Sequence, residues 1–143
     1  MQSNLDKGKI KFDMDSMKLM SYFESVTGAK VKDLITDEKL IFVIEENDMG
    51  KAIGKSGINI KKLEFRFKKK IKLIEFSTDM VQFIKNIIYP LEVQGVEEKD
   101  GIVTVHGKDT NTRAMIIGRE RQNIKQTKDI TSRYFDVKEI KVV

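Results

Sequence analysis

Cysteine is absent from the 143-residue chain, and histidine occurs once, at His106. The first absence removes disulfides, thiol nucleophiles and thiolate metal sites together; the second removes most imidazole-based metal and triad chemistry. His106 ends an alternating segment and reads as structural. No apolar run approaches the roughly 20 residues of a membrane-spanning helix, and no signal-peptide pattern opens the chain, so a soluble cytoplasmic protein is expected. No nucleophile–base set stands out. The acidic stretch Glu45, Glu46 and Asp48 reads as a solvated connection and not as a metal site. No catalytic residue, metal or cofactor is assigned, and a non-enzymatic role is expected.

Charge, by contrast, is concentrated in one place. Residues 51–72 hold nine Lys/Arg (51, 55, 61, 62, 66, 68, 69, 70, 72) against the single acid Glu64, a net of +8. The remaining chain has 18 basic and 21 acidic residues, a net of −3. A patch of this kind is the electrostatic footprint of a nucleic-acid binder, although a lysine-rich helix alone is often only a solvated face.

A glycine turn inside the patch adds a second signal. Gly54 and Gly57 bracket Lys55-Ser56. Without Cβ, both glycines tolerate unusual φ and let another backbone approach closely. A helix opening at about Gly57 presents free N–H groups, which favour an anion, and Lys55 adds a full positive charge. The turn therefore reads as a cradle for a phosphate backbone. It is not a Walker A loop, because only Lys51, Ala52 and Ile53 separate Gly50 from Gly54, one residue too few, which argues against nucleotide hydrolysis. Strand-like segments on both sides argue against a plain helix-turn-helix.

Along the chain, residues 1–9 read as a frayed terminus and Ile10–Phe12 as a short strand. Asp13 or Asp15 caps a helix to about Thr27, with Met17, Met20, Phe23 and Val26 as its buried stripe, and Gly28 ends it. Strands follow at Val31–Ile35 and, more buried, at Leu40–Ile44. The helix after Gly57 runs to about Lys69, with Ile60, Leu63 and Phe67 on its core face. Ile58 and Phe65 fall on the opposite, basic face. They suit either base stacking or packing against a neighbouring module, the second being preferred. A strand at 71–76 closes the first half. The pattern then restarts: an amphipathic helix from Met80 to Tyr89 (Val81, Ile84, Ile87, Ile88), then strands Leu91–Val96 and Ile102–His106 around a turn at 97–101. Next come a helix from Thr110 or Thr112 to Ile117, a helix to about Phe135 and a strand at Val137–Val142.

A shift of 64 positions aligns Ile53, Gly54, Asn59, Ile60 and Lys61 with Ile117, Gly118, Asn123, Ile124 and Lys125, five identities in nine positions. Lys55 meets Arg119. The chain is read as two copies of one module, 10–76 and 77–143.

The run Ile53-Gly54-Lys55-Ser56-Gly57, followed by Ile60 and Leu63, resembles the signature of the KH RNA-binding domain. The element order resembles the type II form. The expected fold is therefore α+β: two tandem type II KH modules, each helix-strand-strand-helix-helix-strand, with a three-stranded sheet and helices on one face. The tandem is similar to the KH pair of the NusA transcription factor family and to its short archaeal members.

That resemblance implies a turn that clamps about four unpaired nucleotides. Gly54, Lys55, Ser56 and Gly57 would hold phosphates. Ile53 and Ile60 would floor the groove, the 71–76 strand edge would meet base edges, and Lys51, Lys61 and Lys62 would add charge. The implied partner is single-stranded RNA, with little sequence preference from phosphate contacts. The family name further implies termination or antitermination on nascent RNA, with RNA polymerase as a second partner. The polymerase-binding and OB-type domains that precede the bacterial KH pair have no counterpart in these residues. A ribosome-associated or RNA-processing KH protein is the alternative. The second copy departs from the motif, with Arg121 at its last glycine and Glu120 adding a negative charge; residues 78–143 carry only +1, against +4 for 1–77. Gly118, Arg119, Arg121 and Lys125 are thus expected to be auxiliary contacts, with structural packing as the other role of this copy.

Overall fold

The computed structural model describes residues 14–143, which divide between Phe76 and Ser77 into two compact units. The fraying expected for residues 1–9, the strand expected at Ile10–Phe12 and the cap expected at Asp13 lie outside the described residues.

The first unit is built around β2 (Leu40–Ile44), an unbroken apolar run in which all five residues are buried. Such a run belongs at the centre of a sheet. It pairs antiparallel with β1 (Val31–Thr36) and parallel with β3 (Ile71–Glu75), placing Phe42 opposite both Leu34 and Leu73. A parallel pair cannot be closed by a hairpin, so the chain must cross over between β2 and β3. The crossover is made by α2 (Met49–Ile53), a short 3-10 turn (Lys55–Gly57) and α3 (Ile58–Phe67), which puts the glycine turn at its midpoint.

Helix α1 (Met14–Thr27) completes the core. Phe23 stacks on Phe42 at 4.3 Å between ring centroids, with Leu34, Ala52 and Leu63 fully or almost fully buried around them. Each buried Phe or Leu contributes roughly 1.5–3 kcal/mol. Of the expected stripe, Met20 and Val26 pack with Phe23 against the core, but Met17 is 58% exposed and Leu19 packs there in its place. At 100° per residue Met17 lies about 120° from Phe23, too far round the helix to reach the sheet. Gly28, at φ 78°, ends the helix, its N–H donating to Glu24 O at 2.8 Å.

The second unit repeats the order. Helix α4 (Met80–Ile88) is followed by β4 (Val93–Lys99), β5 (Ile102–Gly107), α5 (Thr110–Ile117), a 3-10 turn (Arg119–Arg121), α6 (Gln122–Ser132) and β6 (Glu139–Val142). The sheet order β4-β5-β6 again has an antiparallel and then a parallel pair. Four sequence expectations shift here. Phe83 joins the fully buried residues, whereas Val81 is only half-buried. The expected five-residue turn at 97–101 contracts to Asp100-Gly101, both at positive φ (55° and 83°), so that Lys99 pairs with Ile102. Two such residues form the tight hairpin turn that matches strand twist, which lengthens β4. The α5 cap is Asp109, whose carboxylate accepts from Thr112 N at 2.7 Å, and not Thr110 or Thr112. Helix α6 stops at Ser132, short of Phe135. His106 Nε2 lies 2.8 Å from Glu97 Oε1 across the β4–β5 pair. No helix among the described residues is long and apolar enough to cross a membrane.

Candidate nucleic-acid interface

The first glycine turn is shaped by its backbone. Gly54 has φ 77° and ψ 170°, Ser56 φ 56° and ψ 27°, and Gly57 φ 74° and ψ 17°. Gly57 N donates to Gly54 O (3.1 Å) and Ile58 N to Lys55 O. The amides of Lys55 and Ser56 therefore stand at the open start of the 3-10 turn, where no preceding carbonyl takes them.

A side-chain strut fixes this shape. Asn59 Nδ2 donates to Lys51 O at 2.9 Å, tying α3 back to the end of α2 and satisfying one of that helix's last carbonyls. Gly54 is needed for the same reason: a Cβ there would lie 2.7 Å from Asn59 Nδ2 and 2.8 Å from Asn59 Cγ. Gly57 differs, since a Cβ built on it meets nothing within 4 Å.

Lys51 and Ile53 are exposed at the end of α2, with Ile53 at 40%, and Lys55 and Ser56 are exposed on the turn. Gly54, Gly57 and Ile60 are half-buried, while Lys61 and Lys62 are exposed on the first turns of α3. Lys61 sits four residues after Gly57, on the same side of α3 as the turn. Strand β3 is bonded only to β2, so its other edge is open within this sheet.

The charge of the patch is largely uncompensated. Its one acid, Glu64, accepts from Ile71 N at 3.0 Å and lies 4.0 Å from Lys70, at the α3–β3 junction. Arg66 lies over the Tyr22 ring, 5.4 Å from its centroid. Among the described residues no carboxylate comes within ion-pair distance of Lys55, Lys61, Lys62 or Lys69. The acidic loop is not merely solvated, as expected from the sequence. Asp48 Oδ2 accepts from Lys30 N at 2.8 Å and its other oxygen lies 3.9 Å from Lys51, while Glu75 accepts from Asn47 N at 3.0 Å. These contacts pin the entry to α2.

The second turn copies the first in backbone. Gly118 has φ 78° and ψ 167°, Glu120 φ 54° and ψ 30°, and Arg121 φ 63° and ψ 21°. Asn123 Nδ2 donates to Met115 O at 2.8 Å, and a Cβ on Gly118 would lie 2.6 Å from Asn123 Cγ. Arg121 thus takes the left-handed conformation that Gly57 takes, in a place where a side chain has room. Arg119, Glu120, Arg121 and Lys125 are all exposed. Asn59 and Asn123 are functional residues that the motif alone does not flag; their identity in both copies of the repeat is the signal that marks them.

A KH domain model matches residues 18–88 of the chain. A protein of Methanococcus vannielii named "Probable transcription termination protein NusA" is 43% identical over 94% of this chain and 80% of its own length. A protein of the same name from Methanocaldococcus jannaschii is 30% identical over 94% and 76%. Among solved structures, the crystal structure of APE1850 resembles the chain with a TM-score of 0.70 and 28% identity, over 89% of this chain and 96% of that one. With its repeated helix–turn–helix on a mixed three-stranded sheet, the chain belongs to the NusA-like family of KH-domain, RNA-binding proteins.

Proposed function

We propose that the protein grips unpaired RNA at the first glycine turn and that, like the relatives named for transcription termination, it acts there on a nascent transcript. The observation that carries this reading is a turn with two unpartnered amides and an exposed Lys55, set within a stretch of net charge +8. Phosphates would lie against the Lys55 and Ser56 amides, with Lys51, Lys61 and Lys62 around them. Ile53 and Ile60 would floor the groove beside the turn, and the open β3 edge would face the bases. The second turn, with the same backbone and Arg119, Arg121 and Lys125 in place of a bare glycine turn, would make the auxiliary contacts. The role is non-enzymatic and cytoplasmic, and RNA polymerase is the second partner.

The test is the double substitution Lys55→Asp with Ser56→Asp. Both side chains are exposed, so the circular dichroism spectrum and unfolding midpoint should be kept. Losing a charge-assisted phosphate contact worth roughly 1.5–3 kcal/mol should weaken single-stranded RNA binding by about ten-fold or more. Wild-type binding should also fall with salt, with a log–log slope of about −0.7 per phosphate neutralised. Unchanged affinity in the variant, or a flat salt response, refutes the cradle.

A further inference from the structure

Helix α3 carries two large apolar side chains on its outer face, Ile58 at 49% exposure and Phe65 at 86%. Seven residues apart, they lie on one side of the helix about 10 Å from each other along its axis, forming a ridge that starts at the glycine turn. Phe65 is turned about 200° from the fully buried Leu63, so it contributes nothing to the core cluster. The second module shows that the fold does not need an apolar ridge here. The positions matching Ile58, Lys62 and Phe65 are Gln122, Gln126 and Asp129, and α6 forms all the same.

The surroundings of the ridge select its occupant. Lys61, Lys62 and Lys69 are exposed, and no carboxylate among the described residues neutralises them. A ligand must then bring negative charge at close intervals together with flat apolar faces. Single-stranded RNA offers both in every nucleotide, and a basic groove with interleaved aromatic rings is how unpaired strands are held without regard to sequence. We propose that this outer face of α3 extends the RNA track beyond the glycine turn, with an unpaired base stacked on Phe65 and neighbouring phosphates on Lys62 and Lys69. The proposal rests on the reading that the turn itself holds RNA. It gives the protein a footprint longer than the turn alone can clamp.

The experiment compares a tetranucleotide with a dodecanucleotide of oligouridine on the full chain. Phe65→Ala, at so exposed a site, keeps the fold. It should weaken dodecanucleotide binding about five-fold or more, the low end of what one stacked base contributes, and leave the tetranucleotide unaffected. The chain has no tryptophan, so Phe65→Trp installs a single indole reporter, whose emission should be quenched as the dodecanucleotide binds. Equal dodecanucleotide affinity for Phe65→Ala and wild type, or an unquenched indole at saturation, overturns the proposal, while loss of RNA binding in Lys55→Asp with Ser56→Asp still upholds the turn. If Phe65→Ala instead abolishes binding of oligoglutamate and spares RNA, the ridge is a protein-docking surface and the proposal is wrong. Failure of the wild type to bind either RNA sinks the underlying reading as well.

Discussion

Gly54→Ala should be far more damaging than Gly57→Ala, although both remove a glycine from the same turn. At φ 77° and ψ 170°, Gly54 occupies a region that is essentially closed to residues with a Cβ, at a cost of about 1–3 kcal/mol. The new methyl would also fall 2.7 Å from Asn59 Nδ2 and displace the amide that donates to Lys51 O. A lost hydrogen bond adds about 0.5–1.5 kcal/mol, giving roughly 2–4 kcal/mol in all. Gly57 lies in the ordinary left-handed region with open space around it, so alanine there should cost only about 1–2 kcal/mol. Arg121 already occupies the matching conformation in the second module. Urea unfolding of the full chain resolves the difference, since a domain of this size has m of about 1–3 kcal/mol/M and the Gly54→Ala midpoint should fall by about 1 M or more. Adding Asn59→Ala should recover part of the loss, because the clash partner is then gone and the two effects cease to add. A Gly54→Ala variant within about 0.5 kcal/mol of wild type, below the size of ordinary core and strain effects, would refute the reasoning. So would strict additivity with Asn59→Ala.

Two further outcomes concern pH. The backbone and side-chain hydrogen bonds from Thr112 hold the Asp109 carboxyl below its usual range. A depressed folded-state value means that the cap stabilises above the unfolded pKa of about 3.9 and is lost as pH falls through the folded value. Asp109→Ala should therefore lower the unfolding midpoint at neutral pH and approach wild type in acid, as urea melts at several pH values would report. Burial, followed by repulsion from Lys39, lowers the Lys72 ammonium from its ordinary value. Between that lowered value and about 10.4 the unfolded chain binds more protons than the folded one, so wild-type stability relative to Lys72→Met should rise with pH in that window. Parallel melts of the two proteins check it; a constant difference would refute it.

Much of the fold is legible because β2 and the two copies of the turn are locally unambiguous. Leu40–Ile44 is apolar at every position, and a shared Ile-Gly followed by a shared Asn-Ile-Lys at the same spacing is a coincidence that chance seldom produces. What escapes the sequence depends on phase and on partners. Met17 and Phe23 are both hydrophobic, and only the rotation of α1 over the sheet decides which is covered. Phe83 and Val81 both fall at helical spacing with Ile84 or Ile87, and only the rotation of α4 against its sheet decides that Phe83 is the one covered. Asp100-Gly101 is a strong two-residue hairpin signal that the surrounding charged residues obscured. In the candidate site, residue types and spacing point to the turn, but the strut from Asn59 to Lys51 O needs coordinates, because it joins residues eight positions apart across a bend.

The Gly–Asn pair that holds each turn leaves the tripeptide after its glycine exposed or half-buried, and none of those side chains carries the bend. Lys-Ser-Gly in one copy and Arg-Glu-Arg in the other are supported by the same frame. Shape and chemistry are thus uncoupled at this bend: the tripeptide behaves as an exchangeable cartridge. Grip on a polyanion can be strengthened, weakened or reversed in sign within one half of the molecule without disturbing the architecture that presents it.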